Sequence, residues 1–197
     1  MRFSIAGFLG VCLIAPNLIA QSPAPPAPAA SPELISRAKA IHERVLTVDT
    51  HIEIRPYYFA ADCNYTSRLT TAVDLPKMGA GGLGVAFLVV APPEVPVTEA
   101  GYNAAYVSAV SFFDAIHALT DTLAPNQIGL ARSPADVRRI AASGRKVAVI
   151  GDEGGAPIGT DLARVKEFYD RGARYMSLAH DAHTQLARYH RGGARSE

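Results

Sequence analysis

Val147-Ala148-Val149-Ile150-Gly151-Asp152-Glu153-Gly154-Gly155 is the stretch whose reading decides the fold. Its apolar, mostly β-branched opening reads as a strand buried on both faces, and such strands belong to parallel sheets covered by helices. Two other segments share the design: Val45-Leu46-Thr47-Val48-Asp49-Thr50 running into His51-Ile52-Glu53, and Arg174-Tyr175-Met176-Ser177-Leu178-Ala179-His180. Each is a buried-type strand with a metal- or proton-capable residue at its C-terminal end. His51 and Glu53 stand two apart, so on a strand they project the same way and form half of a metal site.

Between these strands the spacing predicts helices. Ser31-Pro32 supplies a capping hydroxyl and a proline at the first helical position, leading a helix to about Glu43. The first strand, Val45 to Thr50, is followed by a polar and aromatic loop, a short helical piece near Asp74 to Met78, and a second strand from Leu83 to Val90. Thr98 to Leu123 has helical spacing, with Tyr102, Tyr106, Val110, Phe113 and Ile116 on one face. Ser133-Pro134 opens a helix that stops at Gly144; Lys146 to Ile150 is the third strand. Thr160-Asp161 caps a helix ending near Gly172, and Tyr175 to Ala179 is the fourth strand. Alternating helices and apolar strands give an α/β fold with a parallel sheet. Active groups in such sheets lie beyond the C-terminal strand ends, where His51, Glu53, Glu153 and His180 all fall.

The ends and the composition set limits. Arg2 to Ala20 reads as a secretory signal peptide, residues 1–20, which predicts a secreted or periplasmic protein. The apolar stretch is short for a bilayer span, so no stable transmembrane segment is expected. Leu9-Gly10-Val11-Cys12 faintly resembles a lipoprotein box, and lipid anchoring at Cys12 is the minor alternative. Residues 21–30 are a Pro/Ala-rich linker, residues 31–187 form one domain, and residues 188–197 are an atypical basic tail. Of the 197 residues 49% are hydrophobic and 19% charged, a globular balance, and the net charge of +1 without a basic stripe argues against nucleic acid. Removal of Cys12 would leave Cys63 alone, which excludes a disulfide within the chain and a cysteine zinc cage, so any metal must be held by His and carboxylate.

Two familiar patterns are dismissed. Gly79-Ala80-Gly81-Gly82-Leu83-Gly84 satisfies G-x-G-x-x-G, but here the helix precedes and the strand follows, so no helix N-terminus faces a pyrophosphate. These glycines read as a helix stop and a tight strand entry. The chain also lacks the G-x-S-x-G elbow of one class of serine hydrolases.

Val48-Asp49-Thr50-His51, Val73-Asp74-Leu75-Pro76-Lys77-Met78 with Gly81-Gly82, Glu153-Gly154-Gly155, and the run from Phe168 to His180 together resemble the membrane dipeptidase family of zinc peptidases. The resemblance covers about Val45 to Ala187. It implies the N-terminal half of a (β/α)8 TIM-type barrel, with about four parallel strands and covering helices in this chain. It also implies an exported metallodipeptidase that hydrolyses dipeptides by a metal-activated water. In the family two zinc ions are bridged in each active site; His51 and Glu53 would bind the first zinc, Glu153 would bridge both, and His180 would lie over the substrate carbonyl. This chain would hold one zinc or none, and a homodimer is the implied assembly.

The chain departs from the family pattern in three places. Glu53 stands where aspartate is usual, and the added methylene moves the carboxylate outward by roughly 1.5 Å. Four strands are read where the resemblance implies eight. After Ala187 the family runs into an Asp-Ser loop, whereas Arg188 to Glu197 is basic and aperiodic. The tail therefore reads as the product of a frameshift or premature stop, with a natural terminal tail as the alternative. The dipeptidase is accordingly expected to be weak or inactive. Two other readings compete: a non-catalytic secreted protein that binds a small molecule, and a different metal-dependent barrel hydrolase. His183, which follows the fourth strand, and His42 and His117, which lie in helices, are expected in ordinary polar roles.

Overall fold

A computed structural model describes residues 30–189. The expectations placed on the signal peptide, on nearly all of the linker and on most of the basic tail lie outside the described residues.

Helix α1, Pro32–His42, begins as expected: the Ser31 hydroxyl accepts from the Leu34 N–H at 3.2 Å and proline follows the cap. None of its residues is buried. Strand β1 is Val48–Glu53, helix α2 is Leu75–Gly81 and strand β2 is Val85–Val90. Helix α3, Glu99–His117, is capped by Thr98, and a π-helical turn, Ala118–Leu123, follows it. Strand β3, Ile128–Leu130, and helix α4, Pro134–Ala142, precede strand β4, Lys146–Asp152. Helix α5, Ala163–Arg171, and strand β5, Ala173–Met176, complete the described order.

All five strands are parallel. β2 lies between β1 and β4, pairing with β4 from Val85↔Val147 to Val90↔Asp152. The other edge of β4 is shared, with β3 along Lys146 to Ala148 and β5 along Ile150 to Asp152. The expected four strands are thus five. β3 has only three residues, too few to show a period of two. β1 runs three residues later than expected, because its pairing with β2 begins only at Val48. β5 is earlier, ending at Met176, where the backbone turns and the Ser177 N–H reaches the Asp152 carbonyl. The expected helix from Thr98 to Leu123 stops being α-helical at His117. The Ala124 N–H bonds the Leu119 carbonyl, a five-residue step that helical spacing does not reveal.

Side-chain alternation divides the sheet into two faces. Ile52, Leu88, Ala148 and Ile150 meet Phe112, Phe113 and Ile116 of α3 and Phe168 of α5 in the main core. Phe113 and Phe168 pack with ring centroids 5.0 Å apart. On the opposite face Val85, Val147 and Val149 form a smaller cluster with Ile140, against which Val137 also packs.

Candidate metal centre

Two irregularities in strand pairing aim the polar groups. Between Asp49↔Ala86 and Ile52↔Leu88, β1 carries one residue more than β2, a bulge at Thr50-His51. Between Ile150↔Ala173 and Gly151↔Tyr175, β5 carries one residue more than β4. Such bulges re-aim side chains and increase local twist. His51 and Glu53 leave the end of β1, while the Glu153 N–H continues the ladder past β4 by donating to the Val90 carbonyl at 2.9 Å.

Glu153 is the hub. Its Oε1 lies 3.3 Å from His51 Nε2 and 3.4 Å from His180 Nε2, and its side chain is only 12% exposed. His51, Glu53 and Glu153 each offer a ligand atom within 4.8 Å of the others. Bonds of about 2.0–2.1 Å in a tetrahedral zinc site separate ligand atoms by roughly 3.4 Å, so the His51–Glu153 spacing fits a shared ion. One imidazole and two carboxylates are also a donor set that zinc accepts. A second group of possible ligands, Glu94, His180 and Asp181, lines the same cleft as Glu53 and Glu153, and all three are exposed.

The chain after Glu153 is held by its backbone. Gly154 adopts φ +88°, a left-handed conformation costly for other residues, and its N–H bonds Ser177 Oγ at 2.9 Å. Gln185 Nε2 donates to the Gly155 and Gly159 carbonyls, each at 2.8 Å. The loop that places Glu153 is therefore tied to the segment that carries His180. Glu53, about half exposed, is paired with Arg55, whose Nη2 donates to Oε2 at 3.0 Å. A cleft of about 270 Å³ opens beside the cluster, lined by Glu53, Arg55, Pro93, Glu153, His180 and His183 among others.

Sequence reasoning missed three features here. Tyr175 hydrogen-bonds His51, a cross-strand contact set by register. Arg55 occupies Glu53, a pairing that the spacing Glu53-x-Arg55 could have suggested. Asp152, the last residue of β4, is fully buried, with neither carboxylate oxygen hydrogen-bonded. Burial pushes its carboxyl up to about 8, and the neighbouring Glu153 charge adds to the effect. Burial, followed by the charges of Glu153 and Asp152, also raises the Tyr175 phenol. His117 Nε2 donates to the Arg171 carbonyl at 2.8 Å, and His183 Nδ1 accepts from the Tyr189 N–H at 2.9 Å.

The model of the membrane dipeptidase family (peptidase family M19) matches residues 35–194. The chain belongs to the membrane dipeptidase family. The fold is similar to that of the probable dipeptidase PvdM from Pseudomonas aeruginosa, at 25% identity and a TM-score of 0.69, covering 75% of this chain and 38% of that one. It is also similar to a metallo peptidase from Rhodobacter sphaeroides liganded with a phosphinate mimic of the dipeptide L-Ala-D-Ala, at 20% identity and a TM-score of 0.57, covering 71% and 47%. The dipeptidase AC, a metallo peptidase, matches at 20% identity and a TM-score of 0.57, covering 71% and 44%. These last two show the fold alone. The chain spans less than half the length of each of these structures. No protein with a curated description matches significantly. Membership of the membrane dipeptidase family sets aside the expectation of a different metal-dependent barrel hydrolase. A parallel α/β sheet is what a partial barrel of this family provides.

Proposed function

We propose that this chain takes part in metal-dependent dipeptide hydrolysis, with His51, Glu53 and Glu153 holding zinc and His180 facing the substrate carbonyl. The carrying observation is the convergence of His51 and His180 on one carboxylate oxygen of Glu153, at 3.3 and 3.4 Å. Bound zinc would lower the pKa of a coordinated water and polarise the scissile carbonyl. Glu153 contributes negative charge beside the ion, and its burial keeps that charge from being screened. His180, directed into the cleft from the loop after β5, can donate a hydrogen bond to a developing oxyanion. Glu53 completes the ligand set where the family usually has aspartate, its carboxylate lying within 4.8 Å of the ligand atoms of His51 and Glu153.

Turnover by these 197 residues is expected to be weak. Among the described residues lining the cleft, Arg55 is the sole guanidinium or ammonium, and Glu53 already engages it, so none of these residues offers a substrate carboxylate a free cation. The same ion pair supports the second reading, a protein that binds metal and small molecule without chemistry. Export and self-association complete the proposal, the first read out by the processed N-terminus of secreted protein and the second by sedimentation. Among the described residues no helix is long and apolar enough to cross a membrane.

The test is hydrolysis of a dipeptide set, including L-Ala-D-Ala, by the zinc-loaded chain before and after chelation. Slow release of free amino acids that stops on chelation and returns with zinc supports the enzyme. Zinc binding with no release supports the binder, and chelator-insensitive release contradicts both.

A further inference from the structure

The geometry points to Tyr175 as the residue that decides which nitrogen of His51 faces the metal, with Gly151 as the residue that admits it. This inference rests on the metal-site reading above. Tyr175 Oη lies 3.2 Å from His51 Nδ1 and 3.3 Å from the Thr50 carbonyl oxygen. The phenol has one proton and two neighbours that can use it. When His51 Nε2 gives its lone pair to a metal, the ring proton must sit on Nδ1. Tyr175 Oη then accepts from Nδ1–H and turns its own proton to the Thr50 carbonyl. Without metal the chain reverses: Nε2–H can donate to Glu153, 3.3 Å away, and the phenol can donate to Nδ1. Tyr175 serves both tautomers and is a positioning residue, since it acts through His51.

Packing shows why the hydroxyl sits there. Gly151 and Tyr175 are register partners, and the extra residue in β5 brings the ring over the glycine. A Cβ at position 151 would stand 2.3 Å from Tyr175 Cζ and 2.5 Å from Oη, so any side chain would displace the phenol. Phe87 stacks against the same ring, with centroids 5.8 Å apart and planes 27° apart. Packing alone would be satisfied by phenylalanine; the hydroxyl is what reaches His51.

Tyr175→Phe keeps the ring and removes only that group. Zinc affinity of the full chain, measured by competition with a chromophoric chelator well below the melting midpoint, is expected to fall about tenfold while the midpoint barely moves. That is the lower end of the effect of an outer-shell partner, because His51 is 45% exposed and water can replace the phenol. Independently of any variant, imidazole ¹⁵N shifts of the zinc-loaded wild type should show His51 protonated at Nδ1. Unchanged zinc affinity in Tyr175→Phe, or a His51 bound to zinc through Nδ1, would overturn the inference while leaving the metal site standing. A wild-type chain that binds no zinc overturns the metal-site reading and the inference together.

Discussion

Glu153 Oε1 stands 3.3 Å from His51 Nε2, joining the ends of two strands that β2 separates in the sheet. Glu153→Gln keeps the backbone N–H that bonds Val90 and the size of the side chain but removes the charge. Zinc affinity should fall about 100-fold or more, with the circular dichroism spectrum unchanged. Equal affinities in chelator competition would mean that Glu153 is not a ligand.

If Glu53 is a metal ligand, Arg55 would compete with the ion for it, through a contact at 3.0 Å between two half-exposed side chains. Exposed pairs of this kind contribute about 0.2–1 kcal/mol, so Arg55→Gln should raise zinc affinity by about 1.4- to fivefold. A fall in affinity would indicate that Arg55 orients Glu53 for the metal instead of withholding it.

The sequence reveals more of the sheet than of the site's surroundings. β2 and β4 were legible because nearly every residue is apolar, and Ser31, Asp74, Thr98 and Ser133 each announce a helix by a side chain that accepts a backbone N–H. His51, Glu53, Glu153 and His180 were legible as strand-end residues, and the fold brings them together. Tyr175 was not, because its contact with His51 depends on a one-residue bulge and on Gly151 lying opposite, neither of which is encoded locally. Asp152 was not legible either: alternation turns it onto the helix-covered face, where no donor meets it.

That burial predicts a pH effect. The Asp152 carboxyl is raised to about 8 in the fold, so between about pH 4 and pH 8 the folded chain holds a proton that the unfolded chain has lost. Stability should therefore fall as pH rises through that window. Asp152→Val, which leaves no charge to bury, should be more stable by about 2–4 kcal/mol at pH 8 and by much less at pH 4. Urea unfolding in the presence of chelator measures this, and parallel pH slopes for the two proteins would contradict it.

Asp74 behaves oppositely. Burial alone would raise its carboxyl, but the Leu69 and Lys77 N–H groups, each donating at 2.8 Å, and the Lys77 ammonium at 3.0 Å hold it below the ordinary value. Its contribution is present above about pH 4 and is lost as pH falls through the depressed value. Asp74→Ala should cost about 2–4 kcal/mol at pH 7, because it uncaps α2 and strands two amides. A loss below about 0.5 kcal/mol in the same unfolding assay would show that water replaces the carboxylate.

The central claim is that His51, Glu53 and Glu153 form a zinc site, and calorimetric titration of the demetallated 197-residue chain with Zn²⁺ tests it most directly. The account predicts one saturable site per chain, of micromolar affinity or tighter on the order expected for a three-ligand protein site. Heats that stay flat and unsaturated up to millimolar zinc would contradict it.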